Sequence, residues 1–235
     1  KNILKIDPYN YESFLYIGEI YIKNEDYNNA IPNLTQALML NPDNSNIYYS
    51  LGFSYYKTNR IVQSMDSFSR CVKIDPENGL AHYYLGIIYE NVFKKDKAIK
   101  SFKLANKYNP DILDIHYRLG ILLYKDEKYS EAMEPLRHFI INQPDSVNIL
   151  NALGKIFIHE LRYQEAIDTY QRLFKLFPDK IDYIENIAFS HWKLNNMEEA
   201  FTYYEELIQY DDENEEIFVI LGDIALELQD FRSSI

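Results

Sequence analysis

The sequence predicts an all-α fold, a solenoid of helix-turn-helix repeats, and two periodic sets of residues support this prediction. Six of the seven glycines lie on one lattice of 34 residues, with Ala188 at its vacant position: Gly18, Gly52, Gly86, Gly120, Gly154 and Gly222. Six of the eight prolines lie on a second lattice of the same period: Pro8, Pro42, Pro76, Pro110, Pro144 and Pro178. Such a period is typical of repeat arrays in which each unit packs on its neighbours.

The first helix of each repeat is predicted from the apolar residues around its glycine. Tyr48, Leu51 and Tyr55 flank Gly52 with the i, i+3, i+7 spacing of a helix face. Glycine inside a helix costs about 1 kcal/mol relative to alanine, so its repeated use indicates close approach of a second helix. A small residue follows each time after 12 positions, and we expect it to face the glycine: Ala30, Ser64, Ala98, Ala132, Ala166, Ala200 and Ser234.

The lattice prolines are expected to end each second helix. Proline cannot continue a helix, and it biases the preceding residue away from helical geometry. Five of these prolines precede an acidic residue suited to capping or charging the start of the next helix: Asp43, Glu77, Asp111, Asp145 and Asp179.

These units resemble the tetratricopeptide repeat. The third unit carries the family pattern at His82, Leu85, Gly86, Tyr89, Ala98, Phe102, Ala105 and Pro110. The resemblance implies helix-turn-helix repeats stacked into a right-handed superhelical solenoid. It gives six full units, at residues 11–44, 45–78, 79–112, 113–146, 147–180 and 181–214. Residues 1–10 then form the tail of a preceding repeat helix and residues 215–235 a partial seventh repeat, so we expect a fragment of a longer protein.

The resemblance also implies a concave groove lined by positions 2, 5, 9 and 12 of each first helix. In the second to fourth units, nine of these twelve positions are apolar or aromatic: Tyr49, Phe53, Tyr56, Leu80, Tyr83, Ile87, Tyr117, Ile121 and Tyr124. The outer face of the second helices has only Val62, Leu104 and Ile141 as large apolar residues, so a general excess of tyrosine does not explain the groove. Exposed apolar patches mark interfaces. The sequence therefore predicts a groove that binds a protein or peptide through apolar or aromatic anchors.

Charge is concentrated at one end of the chain. The net charge is −12, and residues 197–235 hold 12 acidic residues and one base, Arg232. The groove positions become acidic towards this end, with a tryptophan among them: Asp182, Glu185, Trp192, Glu216 and Asp223. Basic residues flanking the anchors of a ligand would complement these acids, and a solvated acidic surface is the alternative. Nucleic acid is excluded as a partner because this end would repel a polyanion.

The sequence thus favours a protein-interaction scaffold, with two alternatives. One is a self-associating subunit of a larger assembly, whose groove or ends are filled by another copy or by another part of the parent chain. The other is a targeting or substrate-recruiting arm of an enzyme whose catalytic domain lies outside this chain. The lysine-rich segment 94–107 is a separate feature: it is either a solvated helix face or a surface that attracts the acidic end of another copy in a salt-dependent, head-to-tail association.

No catalytic, cofactor or metal site is expected. His82 and His116 occupy a core position of adjacent units, where we expect them to pack between helices, and the sequence lacks nucleophile-elbow and phosphate-loop motifs. The single cysteine, Cys71, excludes a disulfide framework. No apolar run approaches the roughly 20 residues of a membrane span. A reducing, cytoplasmic location is compatible with this composition.

Overall fold

A computed structural model describes residues 10–210 and 214–233, and over these residues the chain is an all-α repeat solenoid. The first helices begin every 34 residues: α1 (Tyr11–Lys23), α3 (Ser45–Lys57), α5 (Gly79–Asn91), α7 (Leu113–Lys125), α9 (Val147–His159), α11 (Ile181–Lys193) and α13 (Glu215–Ser233). The second helices alternate with them: α2 (Tyr27–Leu40), α4 (Ile61–Ile74), α6 (Lys95–Tyr108), α8 (Tyr129–Asn142), α10 (Tyr163–Leu176) and α12 (Met197–Ile208). Nine of the ten residues of the predicted N-terminal tail, and Ser234, lie outside the described residues.

The chain divides into two compact units, Lys1–Leu119 and Gly120–Ile235. In the first unit, one apolar cluster joins α2 to α3 and the next joins α3, α4 and α5. In the second unit, a cluster of the same kind joins α11, α12 and α13. Each repeat therefore buries its apolar face against the first helix of the following repeat, as the periodicity predicts.

The lattice glycines of the first five repeats admit a large side chain of the second helix, whereas at Gly222 no atom of the described residues lies within 4 Å of an added Cβ atom. A Cβ atom at Gly52 would lie 2.8 Å from the ring of Phe68, and one at Gly86 would lie 2.6 Å from the ring of Phe102. The expected close approach is confirmed at these glycines. The small residue expected to face the glycine also lies against it in the second repeat, where Ser64 Oγ donates a 2.8 Å hydrogen bond to the carbonyl oxygen of Gly52.

Every turn from a first to a second helix contains one residue in the left-handed region, with φ between 57° and 62°, and none of them is glycine: Glu25, Asn59, Phe93, Glu127, Leu161 and Asn195. Around Phe93 the turn has the hydrogen bonds of a Schellman motif. The Lys94 amide donates to the carbonyl of Tyr89 at 2.8 Å, and the Phe93 amide donates to that of Glu90 at 3.0 Å. The recurring turn thus reverses the chain at a cost in backbone strain.

Asparagine side chains begin the early first helices. The side-chain oxygen of Asn44 accepts from the Ile47 amide at 3.3 Å, and that of Asn78 accepts from the Ala81 amide at 3.0 Å. Asp43 and Glu77, expected from the sequence to cap these helices, lie one residue too early to be the N-cap.

Two core histidines form hydrogen bonds from their first helices, α5 and α7, to the proline that precedes each helix. His82 and His116 are buried, at 7% and 2% exposure. Their Nε2 atoms donate to the carbonyl oxygens of Pro76 at 2.9 Å and Pro110 at 2.6 Å. These contacts agree with the packing role predicted for both residues.

Candidate functional site

Five aromatic side chains of the first unit form one connected surface on α3 and α5, here called the aromatic stripe: Tyr49, Phe53, Tyr56, Tyr83 and Tyr84. All five are half-buried. Four were expected to line the groove, and the structure brings these four together through the fifth.

Tyr84 is the centre of the stripe, and sequence reasoning did not select it. Its ring centroid lies 5.2 Å from those of Tyr56 and Tyr83 and 5.4 Å from that of Phe53. Beneath the stripe, the fully buried ring of Phe68 stacks on Tyr84 at 5.2 Å. Aromatic pairs of this kind contribute about 0.5–1.5 kcal/mol beyond their buried area. The aromatic stripe therefore packs on the hydrophobic core through the contact between Tyr84 and Phe68.

Three phenols of the stripe, those of Tyr49, Tyr83 and Tyr84, are hydrogen-bond donors at neutral pH. Burial raises the pKa of the Tyr49, Tyr83 and Tyr84 hydroxyls above its ordinary value. For Tyr83, a hydrogen bond to the carboxylate of Asp114 raises the pKa further. Each of these three tyrosines thus combines an apolar ring face with a neutral hydroxyl, which suits the contact surface of a protein ligand.

A polar cluster adjoins the stripe between α5 and α7. The Tyr83 hydroxyl donates to Asp114 Oδ2 at 2.7 Å, and Arg118 Nε donates to the same oxygen at 2.6 Å. Arg118 also donates from Nη1 to Glu90 Oε2 at 2.7 Å. All three charged side chains are partly exposed. Two carboxylates share one guanidinium, so the cluster carries excess negative charge beside the aromatic stripe.

The other predicted groove residues differ in how much surface they offer. Leu80, one turn before Tyr83 on α5, is 38% exposed, whereas Ile87 is only 6% exposed. Tyr117 is half-buried in the first unit, and Ile121 and Tyr124 are half-buried in the second. At this exposure, Ile87 offers almost no surface to a ligand.

Three of the five residues predicted at the acidic end share a pocket in the second unit. Glu185 and Trp192 of α11 and Glu216 of α13 line an open pocket of about 380 Å³. Asp182 and Asp223 are exposed and are not among its lining residues. The sequence identified the acids and the tryptophan, but their convergence depends on how α11 and α13 pack.

In residues 10–210 and 214–233, no group of three histidine, cysteine, aspartate or glutamate side chains is arranged to hold a metal ion. Within the same residues, no helix has both the length and the apolar character needed to cross a membrane.

Family profiles match most of the chain. The profile described as "TPR repeat" matches residues 18–59. Two profiles described as "Tetratricopeptide repeat" match residues 117–181 and residues 45–78, 81–112 and 181–214. No curated protein matches the sequence.

Solved structures share the fold. YrrB, described as a TPR protein with an unusual peptide-binding site, matches with a TM-score of 0.65 and 15% identity, over 78% of this chain and 95% of YrrB. MamA matches with a TM-score of 0.55 and 22% identity, over 63% of this chain and 86% of MamA. The pilF protein of Pseudomonas aeruginosa matches with a TM-score of 0.52 and 13% identity, over 96% and 97% of the two chains. At these identities the likeness establishes the fold alone.

Proposed function

The chain belongs to the tetratricopeptide repeat family and is a protein-interaction scaffold, and we propose where its partner binds. In this proposal, a segment of a partner protein binds along the aromatic stripe of the first unit. Members of this family are typically non-catalytic, and the proposal includes no reaction. The observation that carries it is the connected set of half-buried rings on α3 and α5.

The composition of the first helices supports this location. The stripe gathers tyrosine and phenylalanine, which are enriched among the residues that dominate interface energetics. On α4, the exposed aliphatic residues are Val62 and Ile74, and they lie 12 positions apart in the chain. The aromatic stripe offers a partner a connected set of rings instead.

The ligand we propose is an extended segment with apolar or aromatic anchors. Its side chains would lie against the rings, and the hydroxyl groups of Tyr49, Tyr56 and Tyr84 would donate to its backbone carbonyl groups. A basic residue next to the anchors would meet the excess negative charge of Glu90 and Asp114. The peptide-binding site named for YrrB, which shares the fold, supports a peptide as the ligand class.

The test is a selection of peptides from a random library on the full chain, followed by affinity measurements with fluorescently labelled hits. The stripe variant combines Tyr56→Ser with Leu80→Ser, a substitution at the exposed residue one turn before Tyr83 of the stripe on α5. The matched control is Tyr16→Ser with Val62→Ser, which removes one exposed tyrosine and one exposed aliphatic side chain outside the stripe.

We expect the stripe variant to bind the selected peptides about tenfold more weakly or worse, because interface anchors are each worth more than 1 kcal/mol. The control should retain affinity within about twofold. Equal binding by both variants, with unchanged helicity, would place the ligand elsewhere.

A further inference from the structure

A second site is built into the pocket of the second unit. Glu185, Phe189 and Trp192 enter it from α11, Tyr204 from α12 and Glu216 from α13. Its volume of about 380 Å³ lies in the range of small-ligand and side-chain pockets. Two carboxylates and three aromatic side chains thus line one concave surface.

The aromatic side of this pocket already attracts a cation. Lys193 Nζ lies 4.3 Å from the centroid of the Trp192 ring and 5.3 Å from that of Phe189. Both distances are within the roughly 6 Å over which a cation is attracted to a ring face. The ammonium group of Lys193 therefore shows that the faces of these two rings attract a cation.

Tyr204 supplies a second, independent indication. Its side chain lines the pocket although the residue is only 2% exposed. Its hydroxyl forms no hydrogen bond within the part of the chain that the structure describes, so its oxygen can accept from a donor that enters the pocket. Burial, followed by the charges of Glu185 and Glu216, raises the pKa of this hydroxyl to about 12, so it stays neutral at physiological pH.

We propose that this pocket binds an arginine side chain of a partner protein. The flat guanidinium stacks on Trp192 and Phe189, and its N–H groups donate to Glu185, Glu216 and the Tyr204 oxygen. Arginine fits better than lysine because it is planar, stacks on aromatic faces and has several donors in a fixed fork. An anionic group is excluded by the two carboxylates. The proposal is independent of the aromatic stripe, which belongs to the first unit.

The chain contains a built-in reporter for this site, because Trp192 is its only tryptophan. The probe is the peptide acetyl-Gly-Arg-Gly-amide, titrated into the full chain while Trp192 fluorescence is recorded. We expect a saturable change. The same peptide with citrulline, a neutral isostere of arginine, should cause none, and the lysine peptide should bind more weakly.

Glu185→Gln and Glu216→Gln should each weaken binding of the arginine peptide by about tenfold, because each removes a charge-assisted hydrogen bond at constant shape. Asp223→Asn is the matched control, since it makes the same charge change on α13 at an exposed residue outside the pocket. It should change the affinity by less than about twofold.

Circular dichroism confirms that each variant remains folded. An equal response to the citrulline peptide would overturn the proposal. So would equal weakening by Asp223→Asn and Glu216→Gln, which would show attraction to net charge alone, and so would equal affinity for the lysine peptide, which would remove the role of the guanidinium.

Discussion

Tyr170 fills the space opened by the glycine of its own repeat, and it does so with an unsatisfied group. A Cβ atom at Gly154 would lie 2.7 Å from the Tyr170 ring, and the residue is 1% exposed. Among the residues that the structure describes, its hydroxyl has no hydrogen-bond partner. Phe68 and Phe102 occupy the equivalent position in earlier repeats without a hydroxyl.

Tyr170→Phe is therefore expected to stabilise the fold by about 1 kcal/mol, because it removes a buried polar atom and keeps the ring. Urea denaturation monitored by circular dichroism measures the change. A loss of stability of similar size would show that the hydroxyl is hydrogen-bonded in solution.

Cys71 is predicted to be an inert thiol with a measurable effect on stability at high pH. Burial raises its pKa to about 12. The folded chain then holds this proton at pH values where the unfolded chain has lost it, so stability falls as the pH rises above roughly 8.5, the pKa of a free thiol.

Two measurements check this prediction. Native Cys71 should react with a thiol reagent at roughly pH 8 at least about tenfold more slowly than in the urea-unfolded chain. In thermal melts between roughly pH 8 and pH 10, Cys71→Ala should flatten the decline in stability. Rapid native labelling would contradict the raised pKa.

The packing of the first helix of a repeat against the second shows how much of the fold could be predicted from the sequence. Helix positions and the glycine lattice follow from spacing along the chain, so they were predictable. That Phe102 rather than Ala98 meets Gly86 depends on the angle at which two helices cross, which spacing does not contain. Tyr84 was missed for the same reason, because its role depends on neighbours from α3 and α4.

Two glycines of the same lattice should respond to alanine in opposite directions. At Gly86, a new methyl group meets the fully buried ring of Phe102, so Gly86→Ala should destabilise the fold by about 1–3 kcal/mol. At Gly222 nothing lies within 4 Å of the new atom, so Gly222→Ala should stabilise by up to about 1 kcal/mol through helix propensity. Equal effects in chemical denaturation would contradict the close approach at Gly86.

The left-handed turn residues were not predictable, because no glycine marks them. Phe93 has φ 57° and is 94% exposed, so it bears the strain of this conformation and buries almost no surface in return. Phe93→Gly should raise stability by about 1 kcal/mol. The matched control is Val92→Gly at the neighbouring residue, where φ is −97° and glycine relieves no strain. A thermal melt that ranks the two variants in the reverse order would contradict the turn geometry.

For the whole molecule, the charge distribution predicts association between copies that depends on salt. The lysines of residues 94–107 are exposed on and beside α6, and residues 197–235 carry a net charge of −11. Opposite charges on different copies attract over about 10 Å at 0.1 M salt and over less at higher salt. Sedimentation should therefore show dimers or larger species at low salt that dissociate at high salt. The same monomer under both conditions would exclude this self-association.

The central claim, that a partner binds the first-helix face of the first unit, is tested most directly by site-specific photo-crosslinking. A photoreactive phenylalanine analogue replaces Leu80 on α5 or Val62 on α4, two exposed aliphatic residues on different helix faces. After irradiation in a cell lysate, we expect covalent adducts with a foreign protein from the variant labelled at position 80 and none from the variant labelled at position 62. Adducts from position 62 alone, or equal adducts from both, would contradict it.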